Sequence, residues 1–169
     1  PFIYYGDEIG MRYVENLTSV EGGYDRTGSR SPMQWDKTLN AGFSLASPEK
    51  LYIKQDESDD RPDAESQMAD ENSLYNEIRK LISIRRSHSA LGNNSEIEFI
   101  YAEKNEYPLA FIRSSEDEKI LVIINPADRE VSFPCEYKPK EAVYSFGREI
   151  AYEDKKITVP PCSAGFYKV

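Results

Sequence analysis

The chain has 169 residues, 39% of them hydrophobic, and carries 21 Lys and Arg against 30 Asp and Glu, a net charge of −9. That length fits one ordinary domain or one and a half small ones, with enough apolar content for a core. The negative balance repels phosphate backbones and anionic headgroups, which argues against nucleic acid and membrane as partners, and no apolar stretch reaches the about 18 residues needed to span a bilayer.

Residues 1–5, Pro-Phe-Ile-Tyr-Tyr, form an apolar and aromatic run closed by Gly6, with Asp7 and Glu8 behind it. This is the pattern of a strand covered on both faces, as in parallel sheets. No second run of that type occurs in the first half, so its neighbours are expected upstream of Pro1. Asp7 and Glu8 look like an acid and base pair. Consecutive strand residues point to opposite faces, however, so local hydrogen bonding and capping of the next turn is the expected role.

Residues 12–70 contain Gly22, Gly23, Pro32, Gly42, Pro48 and Pro62, together with an acidic cluster at 56–60. They read as a long excursion with little regular structure, and loops of that length are functional or disordered. The cluster reads as solvated surface, because it lacks the ligand spacing of an EF-hand.

From 71 to 90, Leu74, Ile78, Leu81, Ile82 and Ala90 recur at spacings near three and four, which predicts an amphipathic helix. Arg85, Arg86 and His88 lie near its negative end and Gly92 is expected to stop it. His88, the single histidine, is expected to be structural. Beyond Gly92 come short runs at 97–102, 109–113, 120–124, 131–134, 142–146, 157–159 and 165–169, separated by turn residues at spacings near ten. That is the pattern of an antiparallel sandwich. Cys135 and Cys162 have no metal-type spacing and read as buried or semi-buried free thiols in that half, with a disulfide as the minor alternative.

Four segments in order, IYYGDEIGM at 3–11, DRTGSRSPMQW at 25–35, GFS at 42–44 and IRRSHSAL at 84–91, carry a family resemblance. The chain resembles the oligo-1,6-glucosidase and trehalose synthase branch of the α-amylase superfamily of glycoside hydrolases. The resemblance implies an α+β fragment: residues 1–92 as the last strand, loop and helix of a (β/α)8 barrel, and residues 93–169 as an all-β antiparallel sandwich. In a barrel enzyme the excursion after a strand lies on the catalytic face.

In the resembling family a carboxylate nucleophile and a protonated carboxylic acid, about 5–5.5 Å apart, break the glycosidic bond with retention. The family carries these, with a third stabilising carboxylate, on barrel strands four, five and seven, upstream of Pro1. No catalytic residue, metal or cofactor is therefore assigned within this chain. For substrate binding the resemblance singles out Arg30, which precedes the SPMQW stretch and in family members reaches the subsite for the non-reducing glucose. A planar guanidinium offers fixed donors to vicinal hydroxyls or to a carboxylate that grips them. The alternative, a salt bridge tying loop to barrel, is compatible with that role. Arg26 and Asp25 are secondary candidates on the same rim. Met33, Gln34 and Trp35 are expected to pack under the loop, with Trp35 as a sugar-stacking platform the alternative.

The parent activity implied is that of a retaining α-glucosidase on short α-glucosides, with this portion inactive alone. A trehalose synthase, isomerising maltose by the same double displacement, fits the same residues, and residues 48–53 lean that way. A non-catalytic carbohydrate-binding or scaffolding module is the other class, although a self-contained module would not carry a lone barrel strand. The partners implied are an α-glucoside substrate acting through the parent enzyme, and either the upstream barrel segment or a second copy of this chain to cover residues 2–5.

Overall fold

A computed structural model describes residues 2–20 and 26–169, which fall into two compact units divided between Leu81 and Ile82. Gly22, Gly23 and Asp25 lie outside the described residues.

Residues 2–4 have the composition of a strand but form none. A ladder needs a partner to take its N–H and C=O groups, and the described residues of this unit include no neighbouring strand. Phe2, Ile3, Tyr4 and Tyr5 are accordingly exposed. Gly6 (φ 90°) then reverses the chain, and the 3-10 turn Asp7–Ile9 follows. As expected, the two carboxylates act locally. Asp7 accepts from the Tyr4 amide and Glu8 from the Gly6 amide, each at 2.8 Å.

The excursion is more ordered than its composition suggests. It contains 3-10 turns at Thr27–Arg30, Leu39–Gly42 and Pro48–Lys50, and a short helix α1, Ala64–Ala69. The α1 N-terminus is capped by Asp63, which accepts from the Ser66 amide (2.7 Å) and hydroxyl (2.8 Å), so a donor otherwise orphaned at a helix start is satisfied. The acidic cluster is also not simply solvated. Asp56 is buried, and the Arg12 guanidinium binds Asp56, Ser58 and Asp60, closing a clip across 44 to 48 residues. The small core joins Ile9, Met33 and Ala64, with Met11 and Tyr75 against it.

Helix α2 runs Leu74–Ser87, shorter than the 71–90 expected, and none of its residues is fully buried. Its apolar stripe has the right spacing, but only a facing element can bury it, and Leu74 and Ile82 remain exposed. Gly92 ends the 3-10 turn Ser89–Leu91 that follows, not α2 itself.

The second unit holds two antiparallel sheets. One has five strands, β1 (Glu96–Tyr101), β2 (Leu109–Ser114), β3 (Lys119–Asn125), β5 (Ala142–Phe146) and β8 (Ser163–Lys168), in the order β1-β2-β3-β8-β5. The other has β4 (Val131–Pro134), β6 (Ala151–Glu153) and β7 (Lys156–Val159), in the order β4-β7-β6. Alternation decides the faces. Ala110, Ile112, Leu121 and Ile123 from the first sheet meet Val131, Phe133, Ile157 and Val159 from the second in one core, the sandwich arrangement. Because β3 is central, its intervening residues Ile120 and Val122 are buried too, against Ala90 and Leu91. Strand β6 lies outside the runs expected from the sequence. It pairs with β7 through a turn at Asp154 (φ 49°) and Lys155 (φ 60°), the double left-handed geometry of a tight hairpin.

Candidate functional site

The first unit contains an open cleft of about 390 Å³ bordered by Tyr5, Arg30, Trp35, Phe43, Leu51 and Tyr52. Three of its aromatic rings are more than half exposed: Trp35 at 52%, Phe43 at 51% and Tyr52 at 71%. Their backbones are well fixed. The Trp35 amide donates to the Ala41 carbonyl and the Trp35 carbonyl accepts from the Glu65 amide, both at 2.9 Å. Phe43 donates to the Asn40 carbonyl at 3.0 Å, and the Tyr52 hydroxyl reaches the Val20 carbonyl at 3.1 Å.

Arg30 is the one charged side chain among these lining residues, and it lies at the end of the 3-10 turn Thr27–Arg30. The Tyr5 hydroxyl donates to the Ser31 carbonyl at 3.0 Å. Burial and the neighbouring Tyr4 push the Tyr5 phenol above its usual pKa, and the positive charge of Arg30 partly offsets them. Apolar ring faces beside a fan of hydrogen-bond donors suit a neutral ligand that has both hydroxyls and C–H faces. The described residues that line the cleft include no carboxylate.

Arg30 therefore falls in the cleft. Arg26 is exposed, borders the same 3-10 turn and does not line the cleft; its carbonyl accepts from the Ser29 amide and hydroxyl. Asp25 lies outside the described residues. Met33 and Gln34 are buried as expected. Trp35 corrects its expectation of packing under the loop, because its side chain faces the cleft with half its surface open. Phe43, inside GFS, and Tyr52, inside residues 48–53, were given no role of their own by the sequence, because nothing in those strings says that they converge on Arg30.

His88, in the second unit, is structural as expected. Its Nδ1 lies 2.6 Å from Glu118 Oε1, and the other oxygen of Glu118 accepts from the Ala90 amide at 3.1 Å. Cys135 is buried and Cys162 exposed, both as free thiols, so the semi-buried expectation holds for the first alone. Cys162 sits at φ 46° in the turn before β8, where its thiol lies 3.6 Å from the Ala127 carbonyl.

Comparison with known proteins gives a consistent set of matches. Residues 1–94 match the family model for the alpha amylase catalytic domain, and residues 97–165 match that for the maltogenic amylase C-terminal domain. The oligo-1,6-glucosidase of Parageobacillus thermoglucosidasius is 28% identical, across 100% of this chain and 35% of its own length. The trehalose synthase/amylase TreS of Mycobacterium tuberculosis is 34% identical across 76% of this chain and 21% of its own. Among solved structures, trehalulose synthase MutB from Pseudomonas mesoacidophila superposes with a TM-score of 0.80 at 26% identity, covering 99% of this chain and 35% of that one. The chain thus spans 35% or less of the length of these relatives.

Proposed function

Given that the chain belongs to the α-amylase family, with an alpha amylase catalytic segment followed by a maltogenic amylase C-terminal domain, we propose that it is the C-terminal portion of a retaining α-glucosidase acting on short α-glucosides. Residues 1–92 supply the end of the barrel and residues 93–169 the sandwich domain. The observation that carries this is Arg30, held in an aromatic cleft inside the segment matched by the catalytic-domain model. Its fixed donors grip hydroxyls of the non-reducing glucose, and Arg26 and Asp25 are kept as secondary candidates from the motif alone. The paired carboxylates that break the bond come from the rest of the barrel, so this portion binds and orients but does not cleave.

The test uses the full-length gene product and the 169-residue chain side by side, on maltose and isomaltose. The full-length enzyme releases glucose and the chain alone does not. Arg30→Ala in the full-length enzyme lowers kcat/KM by roughly tenfold to a hundredfold, the range expected for a charge-assisted hydrogen bond. A full-length enzyme inert on every α-glucoside, or a chain that cleaves unaided, overturns the proposal.

A trehalose synthase parent is the second reading, favoured by the 34% identity to TreS against 28% to the oligo-1,6-glucosidase. The glucosyl unit is then retained in the site and passed to a second glucose, not to water. Trehalose in the product spectrum of maltose distinguishes the two. The cover for residues 2–5 is the remaining barrel or, when the chain is alone, a second copy of it.

A further inference from the structure

The segment Leu39–Gly42 contains the longest run of left-handed backbone among the described residues: Asn40 at φ 52°, Ala41 at 54° and Gly42 at 70°. Non-glycine residues enter this region at an energetic penalty. Such backbone persists only where its surroundings over-determine it, and it clusters at ligand sites. The surroundings here are specific. Asn40 donates from Nδ2 to the carbonyls of Ser44 (2.8 Å) and Ala46 (2.7 Å). Ala41 is fully buried, donates to the Thr38 carbonyl, and accepts from the amides of both Trp35 and Asp36. At Gly42 (φ 70°) a Cβ would stand 2.6 Å from the Asp36 carboxylate, so a larger residue would be strained there and would push that side chain aside.

The result of this investment of buried hydrogen bonds is the placement of two rings. Trp35 is held from one side of the turn and Phe43 from the other, and both face the cleft that Arg30 lines, each with about half its surface open. Burial alone would draw both rings inward. Holding them out, on strained backbone, beside one guanidinium is the arrangement of a ligand site, not of a core.

Resting on the α-glucosidase proposal above, we infer that the Asn40–Gly42 turn is a positioning device and that Phe43 and Trp35 form the stacking platform for the second sugar ring of the substrate, the one that leaves or accepts. Arg30 reads hydroxyls and so fixes the identity of the glucosyl unit. A ring face reads only the C–H side of a pyranose and is indifferent to which hydroxyl carries the linkage, which is what a variable second sugar requires.

The experiment compares maltose turnover with inhibition by free glucose in the full-length enzyme. Phe43→Ala and Trp35→Ala should each raise KM for maltose about three- to tenfold, the worth of one aromatic contact, while the glucose inhibition constant stays within twofold. Phe43→Tyr, which keeps the ring, should restore the maltose KM. Where Phe43→Ala does not fold, Phe43→Leu is read for the same contrast. Equal weakening of maltose and glucose, or no change in either, overturns the platform while leaving the glucosidase proposal standing. An unmutated enzyme without α-glucoside turnover overturns the proposal beneath it.

Discussion

Arg12 lies in a stretch without regular structure, yet its guanidinium grips Asp60 at 3.1 and 3.0 Å, Ser58 Oγ at 2.6 Å and Asp56 at 3.3 Å. Of these partners Asp56 is the buried one, and it matters most. Burial would raise its carboxyl pKa, but the Ser58 hydroxyl and amide, with the Arg12 charge, outweigh burial and hold it below the usual range of 3.8. The folded chain therefore prefers the carboxylate, and this stabilisation is complete above about pH 3.8 and lost as pH falls through the lower folded value. Asp56→Asn is expected to lower stability at pH 7 by about 1–2 kcal/mol, the cost of weakening a buried charge-assisted network. Urea midpoints of the 169-residue chain check this. A deficit that does not shrink below pH 4 would show that charge is not its source. Glu118 follows the same logic in the second unit, where hydrogen bonds from His88 and the Ala90 amide outweigh its burial and hold its pKa down. His88 thereby ties the 3-10 turn Ser89–Leu91 to the residues before β3.

At the scale of elements, the two units differ in how they are stabilised. Strand β3 has neighbours on both edges and buried residues on both faces, with Ile120, Leu121 and Ile123 fully enclosed. Phe133 projects from β4 into the core formed with it and is 1% exposed. Phe133→Ala should cost about 3–5 kcal/mol by cavity formation, with an unchanged denaturant slope if only stability is altered. A loss below about 1 kcal/mol would mean that the core collapses around the gap. Helix α2, by contrast, is held by few contacts of its own. Tyr75 packs on the small core of the first unit and Ile84 on Ala90 and Leu91 in the second.

For the whole molecule, the notable property is apolar surface left open outside the cleft in the first unit: Phe2 at 105% exposure, with Ile3 and Tyr4 each more than half exposed. Successive apolar side chains left open in this way fit the proposal that another chain segment covers residues 2–5. On the proposal that the rest of a barrel covers residues 2–5, the 169-residue chain alone is expected to bind a hydrophobic dye such as ANS strongly and to lose that signal when the remaining barrel segment is added. Light scattering gives 19.4 kDa for a monomer, and twice that mass would identify a second copy as the cover. Failure of the upstream portion to quench the dye would argue against the barrel as the covering body.

Much of this was legible in the residues. Among the described residues, seven of the eight strands and α2 lie where short-range periodicity puts them, because alternation of two and recurrence near 3.6 are local properties. Strand β6 escaped because three residues show no period. The family motifs located Arg30 for the same local reason, since they are contiguous strings. What the sequence determined by itself was thus element identity and family membership. The fold decided the rest: the β1-β2-β3-β8-β5 order, the Arg12 clip, the exposure of Trp35, the left-handed turn that aims Phe43, and the absence of a strand at 2–4. Each of these depends on which distant groups meet. A strand forms only when another takes its hydrogen bonds, and a ring is buried only when something packs over it, so no local pattern can specify either.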